Sequence, residues 1–564
     1  MNKKHALHEK REFENVRALI EWVGDFYAER TAYSFRTNPH DKEVTKVSFK
    51  QFRDDVRALA TELYSMGCAG KNCVLIGKSS YEWVTVYYAT LSIGAVLVPL
   101  DREWGKEELL ETAKRADISY LLCDKDIEEK AKFIAEGVEL KAAPILLGAE
   151  GEGSLSAARE AGRVKFRESS DAYFNAEIDP YKLALLVFTS GTTGKGKGVM
   201  LCQNNFLSDL SDIIPYMDFS NKTVGVLPPH HTYGSSVMFI GHAIIGSEIY
   251  LSSGLRYVQK ELKEQKPGHL VLVPLYLETF YRKIMAGIKE KGKEKLVFRM
   301  IKICNRLKLG KGIRKRLFKD IRAVFGGDIK MVISGGAPIN PDIMYFFNGI
   351  GIGTLNGYGI TECAPIIAVN RSKNVVPGSV GNVLDIDTVK INEPNEDGEG
   401  EILVTGPNVM LGYYKAEEAT ADAFDEEGYF KTGDYGKLTK DGILYITGRK
   451  KNLIILSNGK NVYPEEIENE LVATPGVTDI IVYEGKSRRG MEYNAIVAEV
   501  FPDKDYIEKN GITDIKAHLQ KYINEYNKTA VSYKKIAILK VRDEDFPKNT
   551  LRKIMRFKLD MTID

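Results

Sequence analysis

A run of hydroxyl, glycine and lysine residues has the composition of a phosphate-binding loop. It follows apolar residues 185–188 and consists of Thr189, Ser190, Gly191, Thr192, Thr193, Gly194 and Lys195. Glycines free the backbone to present N–H groups, the hydroxyls add donors, and lysine adds a compact positive charge. The P-loop pattern G-x-x-x-x-G-K-[ST] fits until its last position, where Gly198 replaces the hydroxyl residue. A phosphate cradle of another kind is predicted, and a mobile surface turn is the competing interpretation of this stretch alone.

Further short motifs follow this loop in the sequence, and several carry groups that bind nucleotides or metals. They occupy residues 228–234 (PPHHTYG), 334–338 (SGGAP), 356–362 (NGYGITE), 429–434 (YFKTGD), 448–451 (GRKK) and 547–553 (PKNTLRK). A Gly-Gly-Ala turn after an apolar strand lets a flat ring lie against the backbone. A carboxylate near phosphate oxygens needs a cation between them, and magnesium meets that need.

In this order along nearly the whole chain, the motifs resemble those of the adenylate-forming superfamily. That superfamily includes acyl-CoA synthetases, peptide-synthetase adenylation domains and firefly luciferase. Two departures are visible: Gly196 stands at the family's usual proline, and Asn549, Leu551 and Arg552 replace Thr, Ser and Gly before the final lysine. The resemblance implies ATP and Mg²⁺ as ligands and coenzyme A as a cosubstrate.

The resemblance also implies a nucleotide site built from particular residues. The loop from Thr189 to Lys195 would hold the β- and γ-phosphates. Tyr358 would stack on adenine, and Asp434 and Arg449 would hold the ribose. Thr361 and Glu362 are implied to be catalytic, and Glu362 would also bind magnesium. The remaining residues implied for nucleotide binding are Gly335, Gly336, Ala337, Pro338, Asn356, Gly357 and Gly359.

Four more residues are implied to act in catalysis or movement. Lys553 keeps its spacing from Pro547 and would bridge the carboxylate and the α-phosphate, although Arg552 is a neighbouring cation. Lys451 matches the family hinge, and Gly459 would let a pantetheine arm pass close to the backbone. His231 resembles the gate between the acyl and thiol tunnels, and an ordinary packed histidine is the alternative.

The implied reaction is the ATP-dependent activation of a carboxylic acid to an acyl-adenylate, followed by transfer to coenzyme A. Residues 273–281 and the basic stretch after them resemble long-chain fatty acyl-CoA synthetases, so the expected substrate is a medium- to long-chain fatty acid. An acid- or amino-acid-activating enzyme that loads a carrier-protein thiol is the main alternative. A luciferase-like oxygenase and a non-catalytic lipid-binding protein stay open.

Composition is that of a soluble globular protein in a reducing compartment. The 564 residues are 44% hydrophobic and 28% charged with a net charge of +2, and the six cysteines form no C-x-x-C pair. No signal-peptide pattern opens the chain, so a cytoplasmic location is expected and no nucleic-acid partner is. Residues 83–100 carry no charge, but Gly94 and Pro99 divide them, which favours a helix, a turn and a buried strand over a membrane span.

Residues 282–322 are strongly basic. They hold 16 lysines and arginines against three acids, a local net charge of +13 in a chain whose total is +2. Apolar residues recur within the segment at helical spacing. A solvated helix face and a basic amphipathic surface for peripheral contact with anionic lipid, at the inner membrane surface, are both consistent with this pattern.

Alternating β and α patterns predict an α/β fold with parallel sheets covered by helices. We expect a large N-terminal body of two parallel αβ-layered subdomains plus a small β subdomain after about residue 380. A small mobile α+β domain would follow. The predicted domains are residues 1–447, which bind AMP and the acyl group, and residues 448–564, a lid with its hinge at 448–451.

Overall fold

The computed structural model describes residues 5–189, 196–337, 339–455, 461–472, 474–485, 495–548 and 554–563. The helices are α1 Val16–Phe26, α2 Phe49–Ser65, α3 Tyr81–Leu91, α4 Lys106–Arg115, α5 Glu128–Gly137, α6 Leu155–Glu168, α7 Asp171–Phe174, α8 Gln203–Ile213, α9 Gly241–Ile245, α10 Val258–Gln265, α11 Pro274–Glu290, α12 Glu294–Arg306, α13 Lys311–Leu317, α14 Lys319–Arg322, α15 Pro341–Gly349, α16 Glu417–Ala423, α17 Pro464–Leu471, α18 Lys504–Lys509 and α19 Ile515–Thr529.

The strands form three large sheets and two small ones. They are β1 Thr31–Phe35, β2 Thr45–Ser48, β3 Asn72–Ile76, β4 Val96–Leu100, β5 Tyr120–Asp124, β6 Ile145–Leu147, β7 Leu183–Phe188, β8 Gly198–Cys202, β9 Lys222–Gly225, β10 Glu248–Leu251, β11 His269–Leu272, β12 Met331–Ser334, β13 Gly353–Gly359, β14 Ile366–Val369, β15 Gly381–Val383, β16 Thr388–Asn392, β17 Gly400–Thr405, β18 Gly412–Tyr413, β19 Phe430–Leu438, β20 Ile443–Arg449, β21 Ile454–Ile455, β22 Asn461–Val462, β23 Val477–Glu484, β24 Ile496–Pro502 and β25 Ile538–Val541. The predicted α/β class is confirmed.

Two of the large sheets have mostly parallel strands, as alternating β and α segments require. One has the order β2-β1-β10-β9, and the other has the order β18-β8-β7-β4-β3-β5-β6. The uncharged stretch 83–100 is divided between α3 and β4, with Gly94 at a φ of +69° between them. In the described part of the chain, no helix combines the length and the apolar character needed to cross a bilayer.

The third large sheet differs from the expected arrangement. Its order is β11-β12-β13-β14-β15-β20-β19-β17-β16, in which β11, β12 and β13 are parallel and the later pairs are antiparallel. The short strands after residue 380 therefore extend a sheet that already contains three parallel strands. The antiparallel strands after residue 380 form the predicted small β subdomain, and β13 connects them through β14 to the parallel strands, a pairing that sequence patterns do not give.

The segment after residue 453 has hydrophobic clusters of its own. One of them consists of residues between Ile454 and Leu539, drawn from α17, β23, β24, α19 and β25. Strand β24 pairs antiparallel with β23 and parallel with β25. This α+β arrangement agrees with the strand and helix pattern predicted for the C-terminal segment.

Two imidazoles form a buried hydrogen-bonded chain beneath the first sheet. The Ser220 backbone N–H donates to His269 Nδ1 at 3.2 Å, so His269 Nε2–H donates to His242 Nε2 at 2.8 Å. His242 Nδ1–H in turn donates to the Val237 carbonyl at 3.2 Å. This chain needs both rings neutral. Burial lowers the pKa of His242 to about 4 and that of His269 well below its ordinary value.

We expect this pair to make folding sensitive to acid. Unfolded histidine binds a proton below about pH 6.5, whereas the folded pair stays neutral, so unfolding takes up protons. The free energy of unfolding should fall by up to about 1.4 kcal/mol per imidazole for each pH unit below that value. Thermal melting between pH 7 and pH 5 should therefore show a shallower decline in Tm for the double variant His242→Gln/His269→Gln, roughly half of the wild-type decline.

The exposed His40 provides the matched control, because His40→Gln should keep the wild-type pH slope. An unchanged slope in the double variant would show that other groups cause the acid sensitivity.

Candidate active site

The predicted phosphate loop connects two antiparallel strands. Strand β7 pairs with β8 up to Phe188 and Gly198, and the Thr189 N–H donates to the Lys197 carbonyl at 3.1 Å. A P-loop leads from a strand into a helix, so the strand that follows here explains why that pattern fails. Arg115 donates to the Gly196 carbonyl. The predicted phosphate ligands Ser190, Gly191, Thr192, Thr193, Gly194 and Lys195 lie outside the described residues.

The predicted adenine turn follows β12 directly. Gly335 is buried, and a Cβ there would lie 3.2 Å from the Tyr233 ring, so the close approach favours glycine. Gly336 has a φ of +85°, which also favours glycine, and both Gly336 and Ala337 are exposed. Pro338 is not among the described residues. The turn thus presents open backbone, as stacking against a flat ring requires.

Three side chains from separate motifs meet beside this turn. The Tyr358 hydroxyl donates to Asp434 Oδ2 at 2.8 Å, and Arg449 Nε lies 3.0 Å from Asp434 Oδ1. Tyr358 lies in β13, whereas Asp434 and Arg449 are cross-strand partners in β19 and β20. The structure therefore brings together the residues that the sequence assigned to the base and the ribose. We call these three residues the tyrosine–carboxylate–arginine cluster.

The cluster has strong electrostatic coupling. Burial raises the pKa of Tyr358 far above its usual range, and the charge of the Asp434 carboxylate is the second cause. The hydroxyl therefore stays protonated and donates. The Asp434 charge is also the main cause that raises the pKa of Arg449. Asp434 has a side chain only 6% exposed, yet each of its oxygens has a partner and a further lone pair. Asp434 can thus still accept hydrogen bonds from a ligand's hydroxyls.

The backbone around Tyr358 is tightly packed. A Cβ at Gly359 would lie 1.8 Å from the Pro365 carbonyl oxygen, and one at Gly357 would lie 3.3 Å from Val369. Asn356 Nδ2 donates to the Ser379 carbonyl at 3.4 Å, while its Oδ1 is buried and finds no hydrogen-bond partner among the described residues. Asn356, Gly357 and Gly359 thus hold the loop in place, and their predicted contacts with a nucleotide stay predictions.

Glu362, the predicted magnesium ligand, is held by residues that the sequence reasoning missed. Its Oε1 accepts from the Tyr413 hydroxyl at 3.0 Å, and its carbonyl accepts from the Met410 N–H at 2.8 Å. Lys197 Nζ lies 4.4 Å from the centre of the Tyr413 ring, which connects the carboxylate to the base of the phosphate loop. Burial raises the pKa of Glu362, so a nearby cation would favour its charged form.

Thr361 begins the short 3-10 turn Thr361–Cys363 that carries Glu362. It follows directly from the β13 loop that carries Tyr358. The predicted catalytic pair Thr361 and Glu362 therefore lies at the edge of the same site as the cluster.

Two adjacent histidines form another wall of the site. Their ring centres are 4.4 Å apart, and His230 Nε2 lies 3.6 Å from an Asp101 oxygen. Burial lowers the pKa of His230 to about 4. The pKa of His231 is lowered to about 3, mainly by burial and then by the neighbouring His230. His231 Nε2 is buried and has no hydrogen-bond partner within the described ranges. A π-helix, Tyr233–Ile240, follows and is a common feature of functional sites.

A cavity of about 970 Å³ adjoins these histidines. Buried His230 and Val273 line it, as do exposed Leu255 and Lys283, so it reaches from the interior to the surface. A Cβ at Gly336 would lie 3.8 Å from Val273, which places this wall next to the adenine turn. Its apolar lining includes Phe35, Leu227, Pro228, Leu251, Val258, Leu275, Tyr276 and Phe280. Sequence patterns did not indicate this cavity, because its walls combine residues from separate strand ends, among them those of β1, β4, β9, β10 and β11.

The predicted hinge lies in the turn after β20. Lys451 is exposed within the 3-10 turn Lys450–Asn452, and Lys450 pairs with Glu401 at 2.6 Å. The positions predicted for pantetheine passage and for the catalytic cation, Gly459 and Lys553, lie outside the described residues. Lys548 and Ile554, which lie on either side of Lys553 in the sequence, form an antiparallel bridge.

The fold and the cluster define an enzyme of the adenylate-forming class. The sequence pattern of the AMP-binding enzyme family matches residues 20–414, and the chain belongs to that family. The family resemblance predicted from the motifs is confirmed. Asp434 and Arg449 lie beyond the matched range, and their roles in ribose binding stay predictions.

Curated relatives include fatty-acid ligases. The chain is 28% identical over 473 residues to the long-chain-fatty-acid–CoA ligase FadD15 of Mycobacterium bovis, which covers 78% of this chain and 75% of the relative. It is 28% identical over 507 residues to the long-chain-fatty-acid–CoA ligase 5 of Rattus norvegicus, and the match covers 83% of this chain and 73% of the relative.

Solved structures match the fold over nearly the full length. ATP-bound MatB from Rhodopseudomonas palustris has a TM-score of 0.74 at 24% identity, with 96% of this chain and 97% of that chain covered. O-succinylbenzoate coenzyme A synthetase from Bacillus subtilis, in complex with ATP and magnesium, has a TM-score of 0.69 at 22% identity. The match covers 96% of this chain and 98% of that chain.

We expect Tyr358→Phe to weaken AMP binding about 10-fold, because a charge-assisted hydrogen bond that orients a carboxylate contributes about 1.5–3 kcal/mol. The aromatic face stays available for stacking, so binding should be reduced rather than abolished. Isothermal titration of AMP into the folded protein would measure the change.

Tyr414→Phe is the matched control, since the Tyr414 hydroxyl also donates to an aspartate, Asp117, at 2.8 Å. This pair is exposed and outside the cluster, so AMP affinity should stay at the wild-type value. Equal affinities for all three proteins would show that the Tyr358 hydroxyl does not contribute to AMP binding.

Proposed function

We propose that this protein uses ATP to activate a medium- to long-chain fatty acid as an acyl-adenylate and then transfers the acyl group to coenzyme A. AMP and pyrophosphate would be the other products. The single observation that supports the fatty-acid assignment best is the apolar cavity of about 970 Å³ beside the nucleotide site. Its size falls within the range of small-molecule sites. The two fatty-acid ligases named above are consistent with this choice.

In the first step the carboxylate attacks the α-phosphorus and pyrophosphate leaves. A carboxylate is already nucleophilic, so catalysis is mainly alignment and charge stabilisation. In this proposal Asp434 and Arg449 fix the ribose and Tyr358 stacks on the base. Lys553 draws the carboxylate and the α-phosphate together.

Magnesium fits the chemistry of Glu362. Burial raises the pKa of the half-buried Glu362 carboxylate, so a bound cation would stabilise its charged form. In phosphate-binding sites Mg²⁺ is usually held by one or two carboxylates together with phosphate oxygens and waters. When bound, it would neutralise phosphate charge. Tyr413 would keep the carboxylate oriented through its hydroxyl.

The second step needs a path for the thiol. His231 is a neutral, buried imidazole beside the cavity, which suits the predicted role of a gate. Lys451 would be the hinge about which the C-terminal segment turns, and Gly459 would admit the pantetheine arm. We keep residues 448–451 as the proposed boundary between domains 1–447 and 448–564. The separate hydrophobic cluster after residue 453 supports that boundary.

The proposal is tested by AMP formation in the presence of coenzyme A with acetate, octanoate, palmitate and coumarate. Palmitate should be preferred, and Thr279→Trp, which adds bulk to the cavity wall, should weaken this preference. Palmitate has eight more methylenes than octanoate to accommodate, each contributing about 0.8 kcal/mol when buried. We expect kcat/KM for palmitate to fall at least about 10-fold, with octanoate changed less than about threefold.

Val164→Trp is the matched control, because it adds the same bulk at an exposed position on α6, away from the cavity lining. Its substrate preference should equal that of the wild type. A wild-type preference for acetate or coumarate would contradict the fatty-acid proposal. Acid-dependent AMP formation with a pantetheinylated carrier protein, and none with coenzyme A, would support the alternative acceptor.

A further inference from the structure

Helix α12 carries two parallel stripes that face away from the protein core. Leu296, Met300, Ile303 and Leu307 recur at i, i+4, i+7 and i+11 along this helix and its C-cap. Lys295, Arg299, Lys302 and Arg306 repeat the same spacing one residue earlier. Residues at these intervals lie on one face of an α-helix. An apolar stripe and a cationic stripe therefore run side by side.

The core-facing side of α12 is a different set of residues. Val297, Ile301 and Cys304 are buried and belong to the hydrophobic cluster around α11 and α15. The contact is close, since a Cβ at Gly349 of α15 would lie 2.5 Å from Ile301. Val297, Ile301 and Cys304 are thus the residues through which α12 contributes buried side chains to the core. Met300 also packs partly against this cluster, whereas Leu296, Ile303 and Leu307 are exposed, and packing within the protein does not account for these three.

Helix α13 adds to the same exposed region. Arg314 donates to the Leu309 carbonyl at 2.8 Å and to the Cys304 carbonyl at 2.9 Å, which fixes α13 to the C-terminal end of α12. Ile313 and Leu317, four residues apart on α13, are exposed. Together with Leu296, Ile303 and Leu307, they are 47–62% exposed. A contiguous apolar set of this size on a soluble protein indicates an interaction surface.

The charge around these apolar residues is unbalanced. Residues 282–322 carry a net charge of +13. None of the four cations in the α12 stripe forms an ion pair with another residue that the structure describes. The ion pairs of this segment involve Lys289, Lys311 and Lys315 instead. The free cations would attract an anionic partner, and the adjacent apolar stripe would then be buried against it.

We propose that α12 and α13 form a docking surface for an anionic lipid bilayer, with the apolar stripe in the acyl boundary and the cations among the headgroups. A helix with an apolar face beside a basic one is the form that adsorbs to such interfaces. A merely solvated helix face would not require three exposed apolar residues at helical spacing on α12. The surface is defined by α12 and α13 alone and does not depend on the proposed substrate.

Vesicle flotation of the full chain tests this surface with phosphatidylcholine vesicles, with and without phosphatidylglycerol. Wild-type protein should float only with the anionic vesicles and should be released by high salt. Changing the cationic stripe with Lys295→Gln, Arg299→Gln, Lys302→Gln and Arg306→Gln should reduce partitioning about 100-fold or more, since each charge contributes roughly fivefold. Changing the apolar stripe with Leu296→Gln, Ile303→Gln and Leu307→Gln should reduce it at least about 10-fold.

The matched charge control changes four exposed lysines elsewhere, Lys509→Gln, Lys516→Gln, Lys521→Gln and Lys528→Gln. It removes the same net charge and should float like the wild type. Unchanged circular dichroism would show that the stripe variants are folded.

The proposal fails if wild-type protein ignores anionic vesicles, or if the apolar-stripe variant floats as well as the wild type. It also fails if the wild type binds heparin but not vesicles, since the surface would then fit an acidic macromolecule.

Discussion

The whole site depends on the Asp434 carboxylate being held, nearly buried, between a tyrosine hydroxyl and a guanidinium. An unpaired carboxylate with 6% exposure would be unfavourable, because burial opposes its charge. Tyr358 and Arg449 supply the compensating donor and charge. The two partners come from different motifs, so the same contacts that stabilise the charge also fix β13 against the β19–β20 pair. The proposed nucleotide site is therefore organised by contacts within the protein itself.

This organisation places the nucleotide site next to a cavity of a different character. On one side lie the charged and hydrogen-bonding groups of the cluster. On the other lies a cavity with a largely apolar lining that includes Val273, with charged residues such as Arg36 and Lys283 also in its wall. The buried histidines at their junction are neutral, so they add no charge that would oppose an apolar ligand. A molecule with a carboxylate head and an apolar tail would match both sides, which is the physical basis of the fatty-acid proposal.

Local features of the fold could be predicted from sequence, whereas long-range pairings could not. The apolar run before the Gly-Gly-Ala turn and the helix, turn and strand of residues 83–100 could be predicted, because their signals lie within a few residues. The contact between Tyr413 and Glu362 joins residues 51 positions apart, and nothing in either local pattern signals it. The nine-stranded sheet was missed for the same reason: pairing depends on packing of the whole chain. The motifs identified Tyr358, but only the structure relates its hydroxyl to the carboxylate.

The central claim is that the cluster holds a nucleotide so that a carboxylic acid can be adenylated. The most direct test is palmitate-dependent exchange of labelled pyrophosphate into ATP, measured without coenzyme A so that only the first step is observed. We predict exchange with the wild-type protein and at least about a 10-fold loss with Arg449→Met, since the variant lacks a charge-assisted hydrogen bond to Asp434 of the kind that contributes about 1.5–3 kcal/mol. Folded, magnesium-supplied wild-type protein that catalyses no exchange with any acid, or an Arg449→Met variant with the wild-type rate, would contradict the claim.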